Sequence, residues 1–128
     1  MGNRIRPVLK PGDIVWARVP GYPSHPAKIV DKTQNNIPPH VLRVKHRRNH
    51  NNLVHFIDVI RTEVWGWVPD ANIEMFGDKD IDELMLRKVK KEKQIHKRKE
   101  VQAGFRSAYK LKHIDPEPLL SLVFSPSE

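Results

Sequence analysis

Cysteine is absent from all 128 positions, which excludes disulfides and thiolate-bound metals and is compatible with a reducing compartment. No apolar run approaches the roughly 20 residues that a membrane-crossing helix requires, and the polar N-terminus is unlike a secretory leader. The expectation is a soluble, intracellular chain. Acid is scarce: 15 Asp and Glu stand against 23 Lys and Arg, leaving a net charge of +8. Such an excess selects anionic polymers, nucleic acid before acidic membrane. Catalytic signatures are missing as well, with no GxSxG, P-loop or GxGxxG. The histidines have no partners in suitable positions. His46 and His50 are four apart but lie in an Asn-rich stretch, His40 follows two prolines, and His96 and His113 fall on basic helical segments. Ser24 and His25 are adjacent, which does not make a nucleophile and its base. No enzyme, cofactor or metal is expected.

What is present divides by composition. From Pro11 to about Phe76 the chain is strand-like. "DIVWARV" (13–19) puts Ile14 and Trp16 on one face and Val15 and Ala17 on the other. "AKIVD" (27–31), "VLRVKH" (41–46), "NLVHFID" (52–58) and "EVWGWVP" (63–69) read as further strands. Turn chemistry separates them: "PG" at 11–12, the proline-rich 20–26, "TQNNIPP" at 33–39 and "RRNHNN" at 47–52. Short strands at this density predict a small, strongly bent, five-stranded antiparallel barrel. Central strands exclude proline, which makes "PGYPSHP" (20–26) an arch between two strands. Its prolines restrict the unfolded chain, so ordering the side chains between them costs less entropy.

After Gly77 the pattern becomes helical. Asp78, Asp80 and Asp82 cluster where a helix start favours acid, with Asp78 or Asp80 as the N-cap. Ile81, Leu84, Met85 and Val89 form one apolar stripe; Val101, Phe105, Ala108 and Leu111 form another. Between them Ile95 is the one strong hydrophobe over 90–100, which predicts two helices with a basic joint. Pro116 and Pro118 end the helical run, and "LLSLVF" (119–124) is an apolar tail expected to pack back on the domain. The expected organisation is a basic arm over 1–9, a β-barrel over 10–77, basic helices over 78–115 and a tail over 116–128.

"KPGDIVWARVPGYPSHPAKIVD" (10–31), followed by "VHFID" (54–58), "WGWVP" (65–69) and a basic C-terminal helix, resembles a PWWP domain. The likeness covers about residues 8–113. The signature tetrapeptide stands here as "PSHP", with Ser24 and His25 where the family often has two tryptophans. The resemblance implies an SH3/Tudor-like barrel with C-terminal helices, a nuclear location and a chromatin-reading role. It further implies a cage at the barrel mouth for a methylated lysine of a histone tail, most often on histone H3 and in some members on H4. By position the cage is Tyr22 and His25 from the arch and Phe56 from its strand, with Asp58 and Glu63 near the ammonium. A neighbouring basic surface holds nucleosomal DNA, and other subunits of a chromatin-modifying complex are expected partners. The chain then reads as a module of a larger chromatin protein.

The residues themselves fit that chemistry. A trimethylammonium donates no hydrogen bond and is held best by aromatic faces. Tyr22 and Phe56 supply them, and His25 does so only while neutral. Trp16, Trp65 and Trp67 are assigned to structure, with a tryptophan of the 63–69 strand packing on the helix. For DNA the candidates are Arg18, Lys28, Arg47, Arg48, Lys93, Lys97, Arg98 and Lys99, within a chain that also carries Lys88, Lys90, Lys91, Arg43 and Lys45. Two other readings stay open. One is a nucleic-acid-binding barrel, for DNA or RNA, in which Tyr22 and Phe56 stack on bases. The other is an adaptor that uses the apolar tail.

Overall fold

Both faces of the first strand are buried, and this sets the architecture. In β1 (Ile14–Ala17), Val15 and Ala17 enter one apolar cluster with Ala27, Ile29, Val54, Phe56, Val68 and Ile73. Trp16 points the other way, into a second cluster built by the C-terminal helices. The computed structural model describes residues 8–34, 36–44, 49–59 and 64–124. The sheet continues through β2 (His25–Ile29), β3 (Asn52–Phe56), β4 (Trp65–Val68) and β5 (Ile73–Met75). All pairings are antiparallel, in the order β4-β3-β2-β1-β5. A 3-10 turn at Asp70–Asn72 carries the chain from one outer strand to the other, so the sheet curls into a half-barrel around the first cluster.

Two strand assignments change. The stretch 41–46 was expected as a strand; its described part belongs to a short helix, α1 (Pro39–Arg43), and residues 45–48 lie outside the described set. Pro39 in the first helical turn explains the change, because its fixed φ suits a helix start and its missing N–H is not needed there. Val41 of α1 is buried against Val30, Ile37 and Leu53, and Trp67 Nε1 donates to Val41 O at 3.0 Å. Trp65 and Trp67 therefore pack on the α1 side of the sheet and not on the C-terminal helices. The fifth strand is β5, three residues that pair with β1. Proline also reaches further than expected: Pro26 sits inside β2, a central strand, opposite Trp16. It lies one residue from the strand start, and its carbonyl accepts from Ile57 N at 3.0 Å. The arch thus shifts two residues toward the N-terminus, to 18–24.

The helices are α2 (Lys79–Lys90), α3 (Ile95–Leu111) and α4 (Glu117–Val123). Asp78 caps α2, its side chain accepting from the backbone of Asp80 and Ile81. The buried stripe of α2 is Met85, Leu86 and Val89, while Leu84 is exposed. On α3 the stripe is Val101, Phe105, Ala108 and Tyr109, and Leu111 is exposed. Leu119, Leu120, Val123 and Phe124 of the C-terminal segment are buried against α2 and α3 in the cluster around Trp16. One buried carboxylate ties these pieces together. Asp82 accepts from Trp16 Nε1 at 2.9 Å, from the Tyr109 hydroxyl at 2.7 Å and from Gly77 N at 3.2 Å. Burial raises its pKa above the usual carboxylate value, against the lowering effect of those three hydrogen bonds. The same burial, with Asp82 beside it, pushes the Tyr109 hydroxyl well above its ordinary value. No described helix is long and apolar enough to cross a membrane.

Candidate functional site

The arch between β1 and β2 is shaped by its glycine. Gly21 has φ +84°, a left-handed conformation that costs most other residues about 1–2 kcal/mol. Tyr22 N turns back to Val19 O at 3.2 Å. In this conformation Tyr22 is 39% exposed and the Gly21 carbonyl points at α3. Lys97 of α3 meets both: its ammonium donates to Gly21 O at 2.6 Å and stands 4.5 Å from the Tyr22 ring centroid. The aromatic face of the arch is thus already in contact with a cation from the basic helix.

Phe56 and His25 lie deeper. Their rings meet edge to face at 6.0 Å, and both are buried, Phe56 at 3% and His25 at 2% exposure. The Phe56 ring covers Gly66 of β4, so that a Cβ there would come within 2.9 Å of Phe56 Cε2; Val19 Cγ1 lies 3.7 Å from the same point. The arch therefore approaches Phe56 through Val19. His25 is not on the exposed arch, where the sequence reading put it. It opens β2 and lies beneath α3 at Gly104, where a Cβ would come within 2.6 Å of its Nε2. That nitrogen sits 2.5 Å from Ile57 O. A carbonyl only accepts, so Nε2 carries the proton and the ring is fixed in place.

Asp58 follows β3 with φ 52° and accepts from the Ser107 hydroxyl of α3, which ties the loop after β3 to the helix. Arg18 starts the arch; its backbone is held by Asn72 in both directions and its residue is exposed. Lys28 is exposed on β2 opposite His55. Partial burial, and secondarily the Lys28 charge, lowers the His55 pKa. Lys93 and Lys99 are exposed, whereas Arg98 is half-buried and donates to Glu92 O at 2.5 Å across the joint between α2 and α3. The Glu92 carboxyl is held below its usual range chiefly by accepting from Gln94 N, with Lys97 and Arg98 adding to the effect. Arg47, Arg48 and Glu63 lie outside the described residues. Among the described residues no group of three or more His, Asp or Glu could hold a metal ion.

The structure brings Tyr22 and Lys97 together at the rim, and His25 and Phe56 together beneath it. Sequence reasoning missed Gly104, Gly66 and Ser107, which set how closely α3 and β4 approach these side chains. A lone glycine within a helical pattern is the signal Gly104 offered. For Lys97 the signal was position: it lies four, seven and eleven residues before Val101, Gly104 and Ala108, all buried, and so continues their inward stripe.

Known proteins share parts of this chain. A Drosophila melanogaster bromodomain-containing protein homolog is 37% identical over 95 residues, an alignment that takes in 63% of this chain and 6% of that protein. The chain therefore spans only a small part of that relative. A crystal structure of WHSC1L1-PWWP2 matches with a TM-score of 0.45 and 18% identity, covering 83% of this chain and 82% of that one. The PWWP domain pattern itself matches residues 12–113, from the turn before β1 to the end of α3. The barrel, the arch and the helix laid over them are all inside that span, and the chain belongs to the PWWP domain family of chromatin-associated binding modules.

Proposed function

We propose that this domain is a non-catalytic chromatin reader that holds a methylated histone lysine, above all on histone H3, at Tyr22 while its basic face holds DNA of the same nucleosome. One observation carries the reading: the partly exposed Tyr22 ring has an ammonium 4.5 Å from its centroid, supplied by the turn that bears Lys97, Arg98 and Lys99. A ring so placed suits a methylammonium, which aromatic faces attract by about 0.5–2 kcal/mol each. Phe56 forms the floor of the site and is reached by displacing Val19; Asp58 supplies a carboxylate at its edge. His25 supports Phe56 from within. Arg18, Lys28, Lys93, Lys97, Arg98 and Lys99 face phosphates, with Arg47 and Arg48 in the same role. Phosphate contacts ignore base identity, so DNA binding is sequence-independent, with a salt slope of about 0.9 log units per released counterion. Two weak grips on one rigid domain multiply through effective concentration. The protein then works in the nucleus, beside other subunits of a chromatin-modifying complex.

The test is binding to nucleosomes with and without a methylated H3 lysine, for wild type, Tyr22→Ala and a Lys97/Arg98/Lys99 charge reversal. Tyr22→Ala is expected to abolish the preference for the mark, and the charge reversal to weaken binding to both nucleosomes and flatten the salt slope. An unchanged preference in Tyr22→Ala refutes the assignment. The burial of Phe56 and His25 favours a second reading, a nucleic-acid-binding barrel that ignores the mark. Equal wild-type affinity for the two nucleosomes selects it.

A further inference from the structure

We infer that Lys97 is an internal competitor for the aromatic face of Tyr22 and that a DNA phosphate draws it away, so that DNA and methylated lysine bind cooperatively through one side chain. The inference rests on the methyl-lysine reading given above and adds its regulation.

Lys97 bridges two surfaces. It extends the buried stripe of α3 toward the arch, where its ammonium makes the bond to Gly21 O and lies over Tyr22. It also belongs to the basic turn with Arg98 and Lys99, and Lys93 precedes it in the exposed joint. An incoming methylammonium and the Lys97 ammonium cannot share one side of the ring, because like charges a few ångströms apart repel. Nor can the newcomer replace what Lys97 loses: a trimethylammonium has no N–H for the Gly21 carbonyl. In the absence of DNA, methyl-lysine must displace Lys97 toward solvent and the Glu92 carboxylate, which Arg98 and Gln94 N already share. A phosphate supplies a stronger receiver, a full negative charge with oxygen acceptors, which outcompetes a ring quadrupole and one carbonyl. Coupling of this kind is reciprocal, so methyl-lysine also tightens DNA binding by freeing the ammonium.

The experiment uses the 128-residue chain, N-acetyl-trimethyl-lysine amide as the probe and a short mixed-sequence DNA duplex. Probe affinity is measured by NMR titration with and without saturating duplex, for wild type, Lys97→Met and Lys99→Met. The Lys97 ε-methylene shift, moved upfield by the Tyr22 ring current, reports the contact directly. In wild type the duplex is expected to move that shift toward the value of an exposed lysine and to tighten probe binding about 5-fold or more. Lys97→Met is expected to bind the probe that much more tightly without duplex and to gain nothing when it is added. Lys99→Met should bind DNA more weakly yet keep the coupling. Equal probe affinity in wild type and Lys97→Met, or an ε-methylene shift unmoved by duplex, overturns the competition while leaving the methyl-lysine reading intact. No probe binding to any of the three proteins, with the shift still moved by duplex, overturns that reading and the coupling with it.

Discussion

Gly104→Ala is the substitution whose outcome depends most directly on how α3 meets the sheet. Helix propensity alone favours it, since alanine in a helix interior is better than glycine by about 1 kcal/mol. Packing opposes it. The new Cβ would lie 2.6 Å from His25 Nε2, 2.8 Å from the Ile57 carbonyl oxygen and 2.9 Å from His25 Cε1. None of these groups yields readily. The Ile57 oxygen is backbone, held in place by its neighbour Ile57 N on Pro26 O, and the imidazole is buried and bonded to the same carbonyl. Turning His25 away forfeits that hydrogen bond, about 1 kcal/mol net and more if a buried group is left unsatisfied. Lifting α3 instead opens the contact along Val101, Phe105 and Ala108. Overpacking of a dense core costs about 1–3 kcal/mol, and adding the strained hydrogen bond puts the loss ahead of the propensity gain. The expected net destabilisation is about 1–3 kcal/mol, read from urea unfolding followed by tryptophan fluorescence. Ala103→Gly, at an exposed neighbour on the same helix, calibrates the propensity term and should cost about 1 kcal/mol. Because Lys97 lies two turns before Gly104, a lifted helix also withdraws its ammonium from Tyr22, and the ring-current shift of the Lys97 methylenes should shrink. A Gly104→Ala protein more stable than wild type, with that shift intact, refutes the close approach of α3 to β2.

Gly66→Ala places a methyl 2.9 Å from Phe56 Cε2 and should displace that ring, with a loss of about 1–3 kcal/mol in urea unfolding and changed Phe56 resonances. Asp82→Asn keeps one acceptor where Trp16 Nε1 and the Tyr109 hydroxyl both donate, so about 1–3 kcal/mol is expected to be lost. The pH dependence of that loss has a definite sign. The folded state raises the Asp82 pKa, so this group's contribution to stability falls as pH rises from 3.8 through the folded value; the gap between wild type and Asp82→Asn should widen as pH is lowered from 7 toward 4. A gap that narrows on acidification contradicts the burial argument. His55 works in the opposite direction: its lowered pKa means that its contribution is lost as pH falls below 6.5, and His55→Gln should flatten stability over that interval.

The fold was legible where one signal dominated. Alternation in "DIVWARV" separates Val15 and Ala17 from Ile14 and Trp16, and the structure buries these pairs in different clusters. The break between α2 and α3 follows from a stretch with too few hydrophobes to pack. Legibility failed where a local rule met tertiary context. "VLRVKH" has strand composition, but Pro38 and Pro39 set a helix start and Trp67 of β4 holds the Val41 carbonyl. Ile73, Glu74 and Met75 are too few to show a period, and they form a strand because β1 has an open edge beside them. Asp82 reads in sequence as one more acid complementing a helix dipole. Only the fold reveals that Trp16 and Tyr109, 66 and 27 residues away, turn it into the junction between sheet and helices.

The candidate site shows the same division more sharply. The arch was legible because its prolines and glycine limit what the backbone can do, and Tyr22 is where that reasoning put it, partly exposed on a turn. The depth of the neighbouring side chains was not legible, because it depends on residues that contribute almost no volume. Without a side chain at Gly104, α3 settles onto His25; without one at Gly66, Phe56 settles onto β4. Each missing methyl converts a residue near the mouth into a buried one. The consequence bears on any binding at the arch. At the arch the exposed Tyr22 and the Lys97 ammonium lie outermost, and Phe56 is buried within the cluster that Val19 packs against. The helix that carries Lys97, Arg98 and Lys99 is thus the same element that closes over His25, so a change that shifts α3 moves the rim of the arch and the buried pair together.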